Sequence, residues 1–213
     1  MDIIKKLAQE LAIKEEQAKA AVQLIDEGNT IPFIARYRKE MTGALNDETL
    51  RNLHERLLYL RNLEEKKEQV INAITEQDKM TDDLKKKILA AETLVAVDDL
   101  YRPYRPKKQT RATKAKEKGL EPLANILLLQ ATSKSMEEEA QSFVNEAKGV
   151  ANVKEALAGA KDIIAEMIAD KADYRKSIRN CTMKQGRLVV KAKDEKAESV
   201  YEMYYDFSEE LSK

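Results

Sequence analysis

Three features of this chain predict a mainly α fold. Apolar residues recur at three- and four-residue spacing along most of its length, and side chains suited to helix capping stand where those stretches break. The composition agrees: 36% of residues are charged, with only six glycines and four prolines among 213. The architecture expected is a multi-helix bundle with a helix-turn-helix-like N-terminal part, one long helix, and a short β hairpin near residues 181–191. Two regions are expected: 1–78, ending in the long helix, and 79–213, carrying a basic proline-rich loop and the hairpin.

Asp2 caps the first helix, in which Ile3, Ile4, Leu7, Ala8 and Leu11 share a face. A second helix carries Ala18, Ala21, Val22, Leu24 and Ile25 and stops at Gly28, which tolerates a left-handed C-terminal conformation. Thr30 and Pro32 mark the start of a third, short helix that runs toward Met41-Thr42-Gly43, with Phe33, Ile34 and Tyr37 expected in the core. Asn46 or Asp47 opens the longest helix. Its Leu50, Leu53, Leu57 and Leu60 form an apolar stripe that Glu64 and Lys67 interrupt before Ile71 and Ile74 resume it. That stripe is expected to pack within the chain; docking or dimerisation through it is the competing reading.

Thr81 caps a helix through Leu84, Ile88 and Leu89, and another follows from Thr93 to Leu100. Arg102-Pro103 and Arg105-Pro106 then halt helicity, because a proline pushes its predecessor toward extended backbone. Helices restart at Thr110 and at Glu121-Pro122, and again after Ser135-x-x-Glu138 and Asn152-x-x-Glu155, the first of these a capping box. Sheet is expected only at Cys181 to Lys191, turning at Gln185-Gly186, with Leu188-Val189-Val190 as the stronger strand and Ser199 to Leu211 helical or irregular.

No run of about 18 apolar residues exists, so no membrane contact is expected. Cys181 is the only cysteine, which excludes an internal disulfide and suggests a reducing, cytoplasmic setting. His54 is the only histidine, and no HExxH, CxxC, GxxxxGK[ST] or GxGxxG pattern occurs. No catalytic residue, cofactor site, metal site or small-molecule substrate is therefore predicted.

The charge pattern does point somewhere. The formal net charge is zero, yet eight lysines and arginines face a single acid, Glu117, between Tyr101 and Lys118. Clustered cations with interleaved tyrosines suit a polyanion, through counterion release and base stacking. The candidate nucleic-acid-binding residues are Arg102, Arg105, Lys107, Lys108, Arg111, Lys114 and Lys118. On a helix beginning at Arg111, positions 111, 114 and 118 share one face while Ala112 and Ala115 turn toward packing. The competing reading is that the arginines pair with acids such as Asp98 and Asp99 and that Tyr101 and Tyr104 fasten the loop to the core. Both can hold together.

Two stretches carry a family resemblance. Residues 26–43, Asp-Glu-Gly-Asn-Thr-Ile-Pro-Phe-Ile-Ala-Arg-Tyr-Arg-Lys-Glu-Met-Thr-Gly, are similar to a signature of the Tex family of bacterial transcription accessory proteins. Residues 100–108, Leu-Tyr-Arg-Pro-Tyr-Arg-Pro-Lys-Lys, with Thr110 to Thr113 and Lys118 to Ala124, resemble a second; Tyr204 to Glu209 resembles a third. The resemblance implies an N-terminal part of a larger protein that would continue with RNase H-like (YqgF), helix-hairpin-helix and OB-fold RNA-binding domains. It further implies a non-catalytic scaffold that binds nucleic acid, RNA before DNA, and works beside RNA polymerase. The alternative it leaves is a protein-interaction module, docking through the long helix.

Overall fold

The structure is a computed structural model that describes residues 2–106, 108–194 and 196–212. By contact they form two compact units, divided between Tyr101 and Arg102.

The first unit holds α1 (Ile3–Glu10), α2 (Glu15–Asp26), α3 (Ile31–Tyr37), α4 (Asp47–Thr75), α5 (Asp82–Ala90) and α6 (Leu94–Tyr101). Capping side chains set several of these boundaries. Asp2 accepts from Lys5 N, Asn46 from Thr49 N and Thr81 from Leu84 N, and Gly28 takes a φ of +83° just beyond α2. The 29 residues of α4 extend about 43 Å at ~1.5 Å per residue and form the spine on which α1, α2, α3, α5 and α6 pack. Because α5 and α6 pack on α4, these two helices belong by contact with this unit.

The stripe on α4 is continuous. Leu50, Leu53, Leu57, Leu60, Leu63, Val70 and Ile74 are all buried, so the helix keeps no apolar row for docking or dimerisation. Lys67, expected to interrupt the stripe, belongs to it at 2% exposure. Its ammonium donates to Glu64 Oε1 at 2.8 Å and to Leu89 O, in the last turn of α5, at 2.9 Å. Burial is the strongest single influence on Glu64 and works against its charge, yet the hydrogen bond and charge of Lys67, with other nearby positive groups, together hold that carboxyl below its usual range. Around the rim, Arg56 pairs with Glu10 and Arg61 grips Asp26 with two hydrogen bonds of 2.7 Å. Each arginine, by hydrogen-bonding the charged form, lowers its carboxyl's pKa.

The second unit begins with a single 3₁₀ turn at Arg102–Tyr104 and continues through α7 (Arg111–Glu117), α8 (Glu121–Leu129), α9 (Met136–Gln141), α10 (Val153–Ala169) and α11 (Ala172–Gln185). The capping box at Ser135 and Glu138 is closed in both directions, and Asn152 accepts from Glu155 N. The core is built from α10 against α7, α8 and α9. Small residues permit the close approach: Ala112 and Ala115 on α7 face Ala156, Gly159 and Ala160 on α10. A methyl group on Gly159 would run into Leu120 Cδ1 and Ala115 Cβ.

Two details differ from the sequence expectation. Cys181 to Gln185 is the last turn of α11, not a strand, because the helix carries through to the Gly186 stop. The antiparallel pair joins β1 (Arg187–Lys191), in the expected stretch, to β2 (Asp206–Glu210), which lies within the segment expected to be helical or irregular. Val189 pairs with Ser208 and Val190 with Phe207. A non-local partner of this kind leaves no turn signature next to the strand.

Candidate functional site

Thr110 organises the basic segment. Its hydroxyl accepts from Thr113 N, capping α7, and donates to Glu166 Oε2 on α10 at 2.9 Å. With Ala112 and Ala115 buried against α10, the remaining faces of α7 turn outward: Arg111, Lys114, Lys116 and Lys118 are exposed.

The structure brings four of the predicted cations together. Arg102, Arg105, Lys108 and Arg111 line one open cleft of about 580 Å³, with Thr110 and Gln109 between them. Lys114 and Lys118 lie outside that cleft lining. Lys118 donates instead to Gly149 O at 2.7 Å, and its neighbour Lys116 pairs with Glu121 at 3.2 Å. Lys107 lies outside the described residues.

The opposite wall of the cleft was not anticipated. It is α10, which presents Asp162, Glu166 and Asp170 at four-residue intervals. Asp170 accepts from Arg102 Nε at 2.9 Å, and Asp162 lies 3.5 Å from Arg111 Nη2. Asp98, one of the acids expected to pair with the arginines, faces Lys66 at 3.7 Å. The i, i+4, i+8 spacing of the acids was the available signal, but it is ordinary in a highly charged helical chain, and only the seating of α10 on α7 gives it meaning.

The two ion-paired arginines differ in exposure. Arg111 is 87% exposed at its side chain and Arg102 is half exposed. Surface ion pairs contribute about 0–1 kcal/mol, which fits the Arg111–Asp162 contact; Asp170 is only 12% exposed, so it holds Arg102 more firmly. The carboxylates also preset guanidinium positions, and a bidentate phosphate contact needs them fixed.

On the first unit, α3 departs from expectation. Ile34 is fully buried and Phe33 partly so, but Tyr37, whose ring lies against Phe33 in the last turn, is exposed. Among the described residues no group of three or more His, Cys, Asp or Glu could hold a metal ion, and no helix is long and apolar enough to cross a membrane.

Residues 1–75 match the family described as Tex-like protein N-terminal domain, and residues 131–213 match Tex central region-like. The chain is 46% identical over 209 residues to Protein YhgF of Escherichia coli (strain K12), covering 97% of this chain and 27% of that protein. It is 43% identical over 209 residues to Transcriptional accessory protein Tex of Neisseria gonorrhoeae, covering 97% and 27%. Similarity extends to S1 RNA-binding domain-containing protein 1 of Homo sapiens, at 31% over 186 residues, 86% of this chain and 18% of that one. The chain therefore spans less than a third of the length of these curated relatives.

Proposed function

This chain belongs to the Tex family, and we propose that it is a helical scaffold whose second unit contacts nucleic-acid phosphates in support of transcription beside RNA polymerase. The contact runs through Arg102, Arg105, Lys107, Lys108, Arg111, Lys114 and Lys118. RNA is the preferred polymer, in keeping with the RNA-binding domain for which the human relative is named, and the transcriptional role follows the name of the gonococcal one. The observation that carries the reading is the convergence of Arg102, Arg105, Lys108 and Arg111 on one open cleft beside the exposed face of α7. No reactive group is required, because the scaffold works by charge and shape.

Phosphate binding by this cleft is an exchange. A phosphate that engages Arg111 releases Asp162 to water, one that engages Arg102 shares it with Asp170, and the strand releases its condensed counterions. If five or six cations engage a single strand, the slope of log K against log salt is about −3.5 to −4. The test is a salt-titrated anisotropy assay with a single-stranded RNA, comparing the chain with a variant reversed to Glu at Arg105, Lys107, Lys108 and Arg111. The expected result is a weaker affinity and a shallower salt slope. Unchanged affinity and slope would remove the site.

A further inference from the structure

We propose that the turn after α3, on the first unit, is a second nucleic-acid contact: it takes a base of a single strand on the ring of Tyr37 and its phosphates on Arg36, Arg38 and Lys39. The site goes beyond the cleft of the second unit and does not depend on it.

Four observations converge on this turn. Tyr37 is 61% exposed although aromatic, standing at the end of a helix whose Ile31, Ile34 and Ala35 turn inward. Its ring is held rather than loose, since Phe33 lies against it at 5.3 Å between centroids and the Arg38 guanidinium lies 5.0 Å from the Phe33 centroid. Arg36, Arg38 and Lys39 make no ion pair with any described residue, unlike Arg102 and Arg111. Together with Tyr37, Met41, Leu24, Glu27 and Glu40 they line an open cleft of about 690 Å³.

The backbone beneath these side chains is pinned. Thr42 is fully buried and its hydroxyl donates to Arg38 O at 3.2 Å, while Gln17 Nε2 donates to Thr42 O and Gly43 O. Gly43 holds a φ of +61°, and its Cα sits so close to Gln17 that an added methyl would meet the amide nitrogen. The helix terminus does not repel anions strongly either, because Arg38 Nη1 donates back to the Tyr37 carbonyl at 3.2 Å. A preset turn loses little ordering entropy when it binds.

The chemistry selects the ligand. A flat exposed ring flanked by unpaired cations matches a nucleotide, which carries a π face and an anion in one residue; an acidic peptide would use the cations and leave the ring idle. Glu27, which accepts from Gln23, and Glu40 are the opposing charges. Three cations outnumber them.

The absence of tryptophan supplies a clean probe. Tyr37→Trp, made in the full chain, places a single indole at the proposed stacking point, and a short oligoadenylate is titrated at low salt. The indole emission should be quenched saturably by the oligoadenylate. Tyr37→Ala should weaken binding about 5- to 150-fold, the range for one aromatic–base stack, while Tyr37→Phe retains it. Arg36→Glu with Lys39→Glu should abolish the quenching, with circular dichroism reporting an intact fold. Charge reversal in the second unit should leave it in place, which separates failure of this site from failure of the other. An indole that does not respond while oligoadenylate binds overturns the proposal, as does absence of all binding. Polyglutamate competing as well as oligoadenylate would overturn it in favour of an acidic protein partner.

Discussion

The two units close their cores in different ways. In the first, α4 runs through the middle and buries an apolar residue at nearly every turn from Leu50 to Ile74. In the second, α10 packs through Ala156, Gly159, Ala160 and Ile163, and no described residue after Ile163 is buried. Ile178 on α11, Val189 on β1 and Val200 in the connection all stay exposed. Large side chains on a spine give a core that tolerates distance between helices; small side chains demand close contact and end where the contact ends. The site follows the same division, since it is the tight α7–α10 seat that brings four cations up to three carboxylates.

Truncation of a core side chain should separate the units most. Leu57→Ala, at a position 1% exposed, is expected to cost about 2–5 kcal/mol in chemical denaturation. Val189→Ala, 55% exposed, should change stability by less than about 0.5 kcal/mol. Equal effects would mean that the β1–β2 pair is as well packed as α4, against the burial pattern.

A smaller effect sharpens the contrast from the other side. Gly159→Ala improves intrinsic helix propensity by up to about 1 kcal/mol, yet the new methyl meets Leu120 and Ala115. Overpacking should win and leave a net destabilisation of about 1–2 kcal/mol. Because α7 must shift to relieve the clash, RNA affinity should fall as well. A stabilised variant with unchanged affinity would show that the α7–α10 distance does not matter.

Acid should produce the smallest effect, and in the first unit. Glu10 lies below its ordinary value of 4.5 because Arg56 hydrogen-bonds its charged form, and Asp26 lies below 3.8 because of Arg61. A depressed carboxyl adds stability above its ordinary pKa and loses it as pH falls through the folded one. Stability should therefore decline below about pH 4.5, by less than about 1 kcal/mol per pair after solvent screening. Arg56→Gln and Arg61→Gln should flatten that part of a thermal-melt series, and an unchanged slope would remove these pairs as its source.

Much of the helical plan was legible. Asp2, Asn46, Thr81, Thr110, Ser135 and Asn152 each cap the helix expected of them, because a capping bond is local and is written within four residues. Lys67 was misread because a lysine in an apolar stripe looks like an interruption until the Leu89 carbonyl from α5 meets it. Tyr37 was misread because its spacing matches Ile34 and Phe33, while only Ile34 enters the core and Tyr37 stays with Phe33 on the outer side of α3.

By itself the sequence determined the mainly α class, the helix boundaries with side-chain caps, the cation-rich segment and the outward face of α7. These depend on neighbours a few residues away. Only the tertiary structure decided which carboxylates face those cations, where β1 finds its partner and which aromatic stays in water. Such outcomes depend on pairs 20 to 70 residues apart, among them Arg187 with Glu210 and Arg102 with Asp170, whose meeting no local periodicity encodes.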